Sequence, residues 1–153
     1  MADMARIRIY LDTSVLSALI DTRAPDRMAL TEGFFERRDS FDLATSELTR
    51  LELGAATDPA KKSELLALLD SVAVFPITRE MEALAGEYIK AGAFTDLQFN
   101  DSLHVAAAVV SGFQILVSWN FRHLVNRQRR LRVQAVNASL QLPGIEILSP
   151  PEV

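Results

Sequence analysis

The chain has no cysteine. That excludes a disulfide framework and any thiolate-held metal, and it suits a reducing compartment such as the cytoplasm. Histidine is scarce too, with two in 153 residues, so no histidine cluster points to zinc. No apolar run reaches the ~20 residues of a membrane helix. The first six residues include an acid and no apolar stretch of signal-peptide length, so neither a leader nor membrane attachment is expected. No glycine-rich loop follows the first apolar stretch, which argues against a nucleotide-binding fold. Positive charge is not in excess, since the net charge is -4. A local basic patch, rather than the sum, would have to serve any nucleic-acid partner.

What is present is 49% apolar and 24% charged, the profile of a globular protein. Residues 1–153 fit a single domain with a sizeable core. No internal repeat, linker or low-complexity segment interrupts it.

Ile7-Arg8-Ile9-Tyr10-Leu11 reads as a strand, and Asp12-Thr13-Ser14 turns it into a helix, with Ser14 offered as the cap. A loop at 21–26 precedes helical spacing from Arg27 to Arg37. Phe41–Thr45 is a second strand, and Ser46 opens a helix running to about Ala56. Asp58-Pro59 starts another helix, with proline in the first turn. Val72–Phe75 is a third strand, and Thr78 caps a helix that Gly92 ends. A polar-aromatic loop leads to a helix over Asp101–Ser111 that is apolar almost all round and should be buried. Ile115–Ser118 is a fourth strand. Phe121–Leu140 reads as largely helical, and Ile145–Leu148 as a last strand. Strands alternating with helices predict an α/β fold: a three-layer α/β/α sandwich around a mainly parallel sheet of four to five strands.

In such sheets ligands gather beyond the carboxyl ends of the strands. Asp12 lies at such an end. It can cap the helix, but Thr13 and Ser14 also offer capping side chains, so a ligand role is favoured. Glu52 shares the apolar face of its helix with Leu48, Ala55 and Ala56, where a lone carboxylate is costly unless paired, hydrogen-bonded or metal-bound. Glu47 in the first turn is explained by the helix dipole. Asp101 opens the buried helix as cap or ligand, with Asn100 and Asp96 competing for the cap. His104, three residues on, reads better as a satisfied core histidine than as a ligand. Asn120 stands just past the fourth strand and can lend an amide oxygen but no charge. Ser118 adds a hydroxyl. Arg122, His123, Arg127, Arg129, Arg130 and Arg132 make the most basic stretch, either a solvated face or a phosphate-contacting rim. Carboxylates gathered at strand ends suit Mg2+ or Mn2+, which prefer oxygen ligands.

Four stretches, in order, resemble the motifs of PIN-domain nucleases: Ile9-Tyr10-Leu11-Asp12-Thr13-Ser14; Thr45 to Leu53, with its acid at Glu52; Asp101-Ser102-Leu103-His104-Val105-Ala106; and Leu116-Val117-Ser118-Trp119-Asn120-Phe121. Within that family the size and motif style are similar to the toxins of bacterial VapBC toxin–antitoxin pairs. The resemblance implies a cytoplasmic, Mg2+- or Mn2+-dependent endoribonuclease, homodimeric and inhibited by a cognate antitoxin whose tail enters the active site. Asp12, Glu52 and Asp101 would carry the metal, directly or through water, with Asn120 completing the catalytic set. Thr13, Ser118, Arg122 and His123 would contact RNA. Many members have Asp where this chain has Asn120, which leaves the number of metal ions open. The alternative is a catalytically weak PIN-like RNA-binding module acting through partners.

Overall fold

The structure is a computed structural model that describes residues 6–153. The stretch expected to carry no leader falls largely in residues 1–5, outside the described residues.

Five strands form one sheet: β1 (Ile7–Leu11), β2 (Phe41–Ser46), β3 (Ala73–Phe75), β4 (Ile115–Val117) and β5 (Glu146–Leu148). The order across the sheet is β3-β2-β1-β4-β5 and every pairing is parallel. The expected sandwich is therefore present, with a wholly parallel sheet. Side-chain alternation on β1 divides the core. Ile9 and Leu11 face one layer, made by α1 (Thr13–Ala18), α2 (Pro25–Glu36) and α4 (Pro59–Ala67), with Val15, Leu16 and Phe34 buried against them. Tyr10 faces the other layer, made by α5 (Arg79–Lys90), α6 (Phe99–Val110) and α7 (Arg127–Ser139). A short α3 (Glu47–Leu53) contributes to both sides, through Leu48 and Leu53.

Several boundaries differ from the sequence reading, each for a local reason. Asp12, not Ser14, caps α1, because its carboxylate accepts from the Ser14 N–H at 2.7 Å. Helix α2 starts at Pro25, two residues before the expected Arg27, with proline in the first turn. Helix α3 stops at Leu53, short of Ala56. The Ser46 hydroxyl does not cap it and instead meets the Tyr10 hydroxyl at 2.8 Å. Neither Asn100 nor Asp96 caps α6, which begins earlier, at Phe99. Residues 121–126 form turns and not helix. Asn126 causes this: its side chain accepts from Arg129 N at 2.9 Å to cap α7, and its amide donates to the Phe121 and Arg122 carbonyls. Gly92 ends its helix at positive φ, as expected, and Gly112 does the same after α6.

Candidate active site

Leu11 pairs with Val117 across β1 and β4, so Asp12 and Ser118 emerge side by side at the carboxyl edge of the sheet. The Asp12 N–H donates to the Val117 carbonyl at 3.1 Å, which extends the register by one residue. Asp12 is 4% exposed. One carboxylate oxygen accepts from the Ser14 N–H and hydroxyl (2.7 and 2.5 Å), and the other from the Ser118 hydroxyl (2.8 Å). Such bonds to a charged acceptor are strong and fix its direction. Ser118 is fully buried and also accepts from Asn120 N at 2.9 Å. It thus orients Asp12 and Asn120 and does not face solvent.

Asn120 ties the second acid to this group. Its amide nitrogen lies 3.4 Å from Asp101 Oδ1, and its amide oxygen accepts from the His123 N–H at 2.9 Å. His123 Nδ1 lies 3.0 Å from Asp101 Oδ2. Asp101 is thus held from both sides by residues of the loop after β4. Burial raises its pKa above the ordinary carboxylate value; His123 and His104 pull it down in part, and the Asp12 charge pushes it up again.

Glu52 stands slightly apart. Thr13 donates to its Oε1 at 2.7 Å, and His104 Nε2 meets the same oxygen at 2.5 Å. Burial opposes ionisation of Glu52, but the hydrogen bond and charge of His104, with Thr13, hold its pKa below the usual value. Burial likewise opposes protonation of His104. The Tyr10 oxygen, the Glu52 hydrogen bond and the charges of Asp12 and Glu52 outweigh it and raise its pKa to about 10. A doubly protonated ring fits the contacts: Nε2 donates to Glu52 and Nδ1 donates to the Tyr10 oxygen at 2.6 Å. His104 is therefore the satisfied core histidine read from sequence, and it also anchors Glu52. Glu47, in the first turn of α3, pairs with Arg50 on the surface at 2.9 Å.

Of the basic stretch, Arg129 is inward. It lies 4.1 Å from the Phe94 ring and donates to the His123 and Ala93 carbonyls and to Gln98. With Arg122 and Arg132 it also borders a cavity of about 440 Å³ that Phe121 lines. The sequence reading missed Ser14 and Tyr10 as supports of the acids. The only sign of either was position, Ser14 two residues after the acid and Tyr10 on the face of β1 opposite Ile9 and Leu11.

Among the described residues, no three His, Asp or Glu side chains stand close enough together to hold a metal ion. Asp12 and Asp101 are linked through Ser118 and Asn120 and form an oxygen-only donor set. Two carboxylates completed by water are what Mg2+ ordinarily accepts, so these residues fit a hard divalent cation. Thr13 and His104 share Glu52 Oε1, and Oε2 has no hydrogen-bond partner among the described residues.

Residues 9–123 match the family model described as PIN domain. No curated protein matches the chain in sequence. VapBC2 from Rickettsia felis, bound to a DNA fragment from its promoter, is similar at a TM-score of 0.60 and 11% identity, over 94% of this chain and 98% of that one. VapBC-1 from nontypeable Haemophilus influenzae is similar at 0.61 and 15% identity, over 95% and 99%. Mycobacterium tuberculosis VapC20, a sarcin-ricin loop cleaving toxin, is similar at 0.56 and 20% identity, over 75% and 92%. At these identities the likeness is one of fold.

Proposed function

The chain belongs to the PIN domain family, and from that premise we propose that it is a metal-dependent endoribonuclease, the toxin of a toxin–antitoxin pair. The observation that carries the reading is the joined pair Asp12 and Asp101, one past β1 and one on α6, bridged by Ser118 and Asn120. The fold shared with VapC20, a sarcin-ricin loop cleaving toxin, and with two VapBC complexes supports the toxin assignment.

In this reading Asp12 and Asp101 bind Mg2+ or Mn2+, and Glu52 contributes through water. Bound there, the cation would polarise the phosphodiester and lower the pKa of an attacking water. Ser14 and Ser118 keep the Asp12 carboxylate from rotating. His123 and Asn120 do the same for Asp101, and Thr13 and His104 for Glu52. Such pre-set geometry removes reorganisation from the reaction step. Arg122, exposed beside the site, offsets the repulsion between the acids and an RNA backbone. The protein works in the cytoplasm as a homodimer, and an antitoxin covers the same edge of the sheet. No helix among the described residues is long and apolar enough to cross a membrane.

A second reading, an RNA-binding module with little catalysis, draws on Asn120 and on the lack of a three-acid cluster among the described residues. Incubating a structured RNA pool with antitoxin-free protein separates the two. Cleavage with Mn2+ or Mg2+ that chelator abolishes is the expected result. RNA binding without cleavage under any of these conditions would favour the second reading.

A further inference from the structure

Beside the two acids lies a cavity of about 320 Å³ that no step above uses. Ser14 and Asn120 line it on the side of the site; Ala18, Asp21, Arg27 and Trp119 line the rest. Trp119 is its floor. The indole is 7% exposed and locked, because Nε1 donates to the Thr31 hydroxyl at 2.9 Å and Thr31 in turn donates to the Arg27 carbonyl. The Trp119 N–H donates to the Ser14 hydroxyl, which itself donates to Asp12. The floor is thus one residue away, by hydrogen bonds, from the candidate catalytic carboxylate.

Above the indole sits the Arg27 guanidinium, 5.1 Å from its ring centre and 5.7 Å from that of Phe121. Phe121 packs edge-on against Trp119 at 6.1 Å and is 45% exposed. Among the described residues Arg27 has no carboxylate partner. An exposed aromatic and a flat unpaired cation beside a polar centre are poor choices for folding alone. They are the two surfaces on which unpaired bases stack. Phe121 does not itself line this cavity but stands against its Trp119 and Arg27, and it lines the neighbouring cavity bordered by Arg122 and Arg132, so a strand crossing it would leave its backbone beside those cations.

We propose that this cavity is a base subsite, which takes the unpaired base of a nucleotide next to the scissile phosphate onto Arg27 and Phe121, over the Trp119 floor. The inference rests on the nuclease reading, and its test is separable from that reading. Trp119 is the sole tryptophan, so emission excited selectively from tryptophan, and not from the two tyrosines, reports on this cavity. Wild-type protein with chelator is titrated with a mixed-sequence oligoribonucleotide and with an abasic oligomer of equal length. A saturable emission change is expected with the first and not the second. Arg27→Met and Phe121→Ala, both at exposed positions, should weaken that binding by roughly five- to a hundredfold, with the proteins still folding cooperatively. Equal responses to both oligomers, no response to either, or unchanged affinity in both folded variants would overturn the subsite. Cleavage of the same RNA with Mn2+ is measured alongside. Absent cleavage with the emission response intact counts against the nuclease reading alone. Cleavage without the response counts against the subsite alone.

Discussion

His104 Nε2 lies 2.5 Å from Glu52 Oε1, while Nδ1 of the same ring lies 2.6 Å from the Tyr10 hydroxyl. One imidazole therefore joins α6, α3 and the centre of β1 beneath the site. Tyr10 is fully buried and its hydroxyl also meets Ser46. Tyr10→Phe should cost about 1–3 kcal/mol, because two buried polar partners lose a hydrogen bond. His104→Ala should cost about 2–4 kcal/mol, adding a cavity to the loss of the Glu52 and Tyr10 bonds. Urea unfolding of the metal-free proteins measures both.

Asp12 serves two ends, as helix cap and as site carboxylate, and the two can be pulled apart. Asp12→Asn keeps an oxygen for the Ser14 N–H but removes the charge. It should abolish cleavage while lowering stability by about 1 kcal/mol or less. Asp12→Ala removes the cap as well and should cost about 1–2 kcal/mol more. Thermal melts run beside a cleavage assay distinguish a lost charge from a lost fold.

Glu52 is held at a distance from the other acids by His104 and Thr13, whereas Asp101 is linked to Asp12 through Asn120 and Ser118. Mn2+ affinity, measured by isothermal titration, should therefore fall further in Asp101→Asn than in Glu52→Gln. An equal loss in both would mean that Glu52 ligates directly.

Much of the fold was legible because β1 and α6 carry strong local patterns: alternating Ile, Tyr and Leu ahead of an acid, and a helix apolar almost all round. The parallel order followed from alternating elements. The candidate residues could be picked from the sequence one by one, but not their arrangement. Asp12, Asp101 and Asn120 come together through backbone register and a turn, and Glu52 is diverted by a histidine that the sequence could place only on the Asp101 face. Capping differs at Ser14, where the local Asp12 is the cap and takes the Ser14 hydroxyl, and at Ser46, where the tertiary partner Tyr10 takes the hydroxyl. The turn at 121–126 was hidden behind helix-compatible residues, and only Asn126 marked its end.

Asn120→Asp tests whether the site has room for more positive charge. The new carboxylate would face Asp101 about where the amide now donates at 3.4 Å. Without metal the like charges should destabilise the protein. With Mn2+ the loss should be recovered, so the rise in Tm on adding Mn2+ should exceed that of the wild type.

Arg122 and Arg132 border one cavity beside the site. If they meet RNA phosphates, Arg122→Ala and Arg132→Ala should each reduce the slope of log affinity against log salt by about 0.7. Fluorescence anisotropy across a salt series gives the slope. Arg127→Ala, on the same helix as Arg132 but not lining that cavity, is the control and should leave the slope nearly unchanged.

The most direct measurement is single-turnover cleavage of an RNA substrate by antitoxin-free protein, wild type against Asp101→Asn, with Mn2+ and with chelator. A rate that needs the metal and falls at least about a hundredfold in the variant is the predicted result. Comparable rates for the two proteins, or cutting that persists in chelator, would contradict a metal-holding Asp12–Asp101 pair as the catalytic centre.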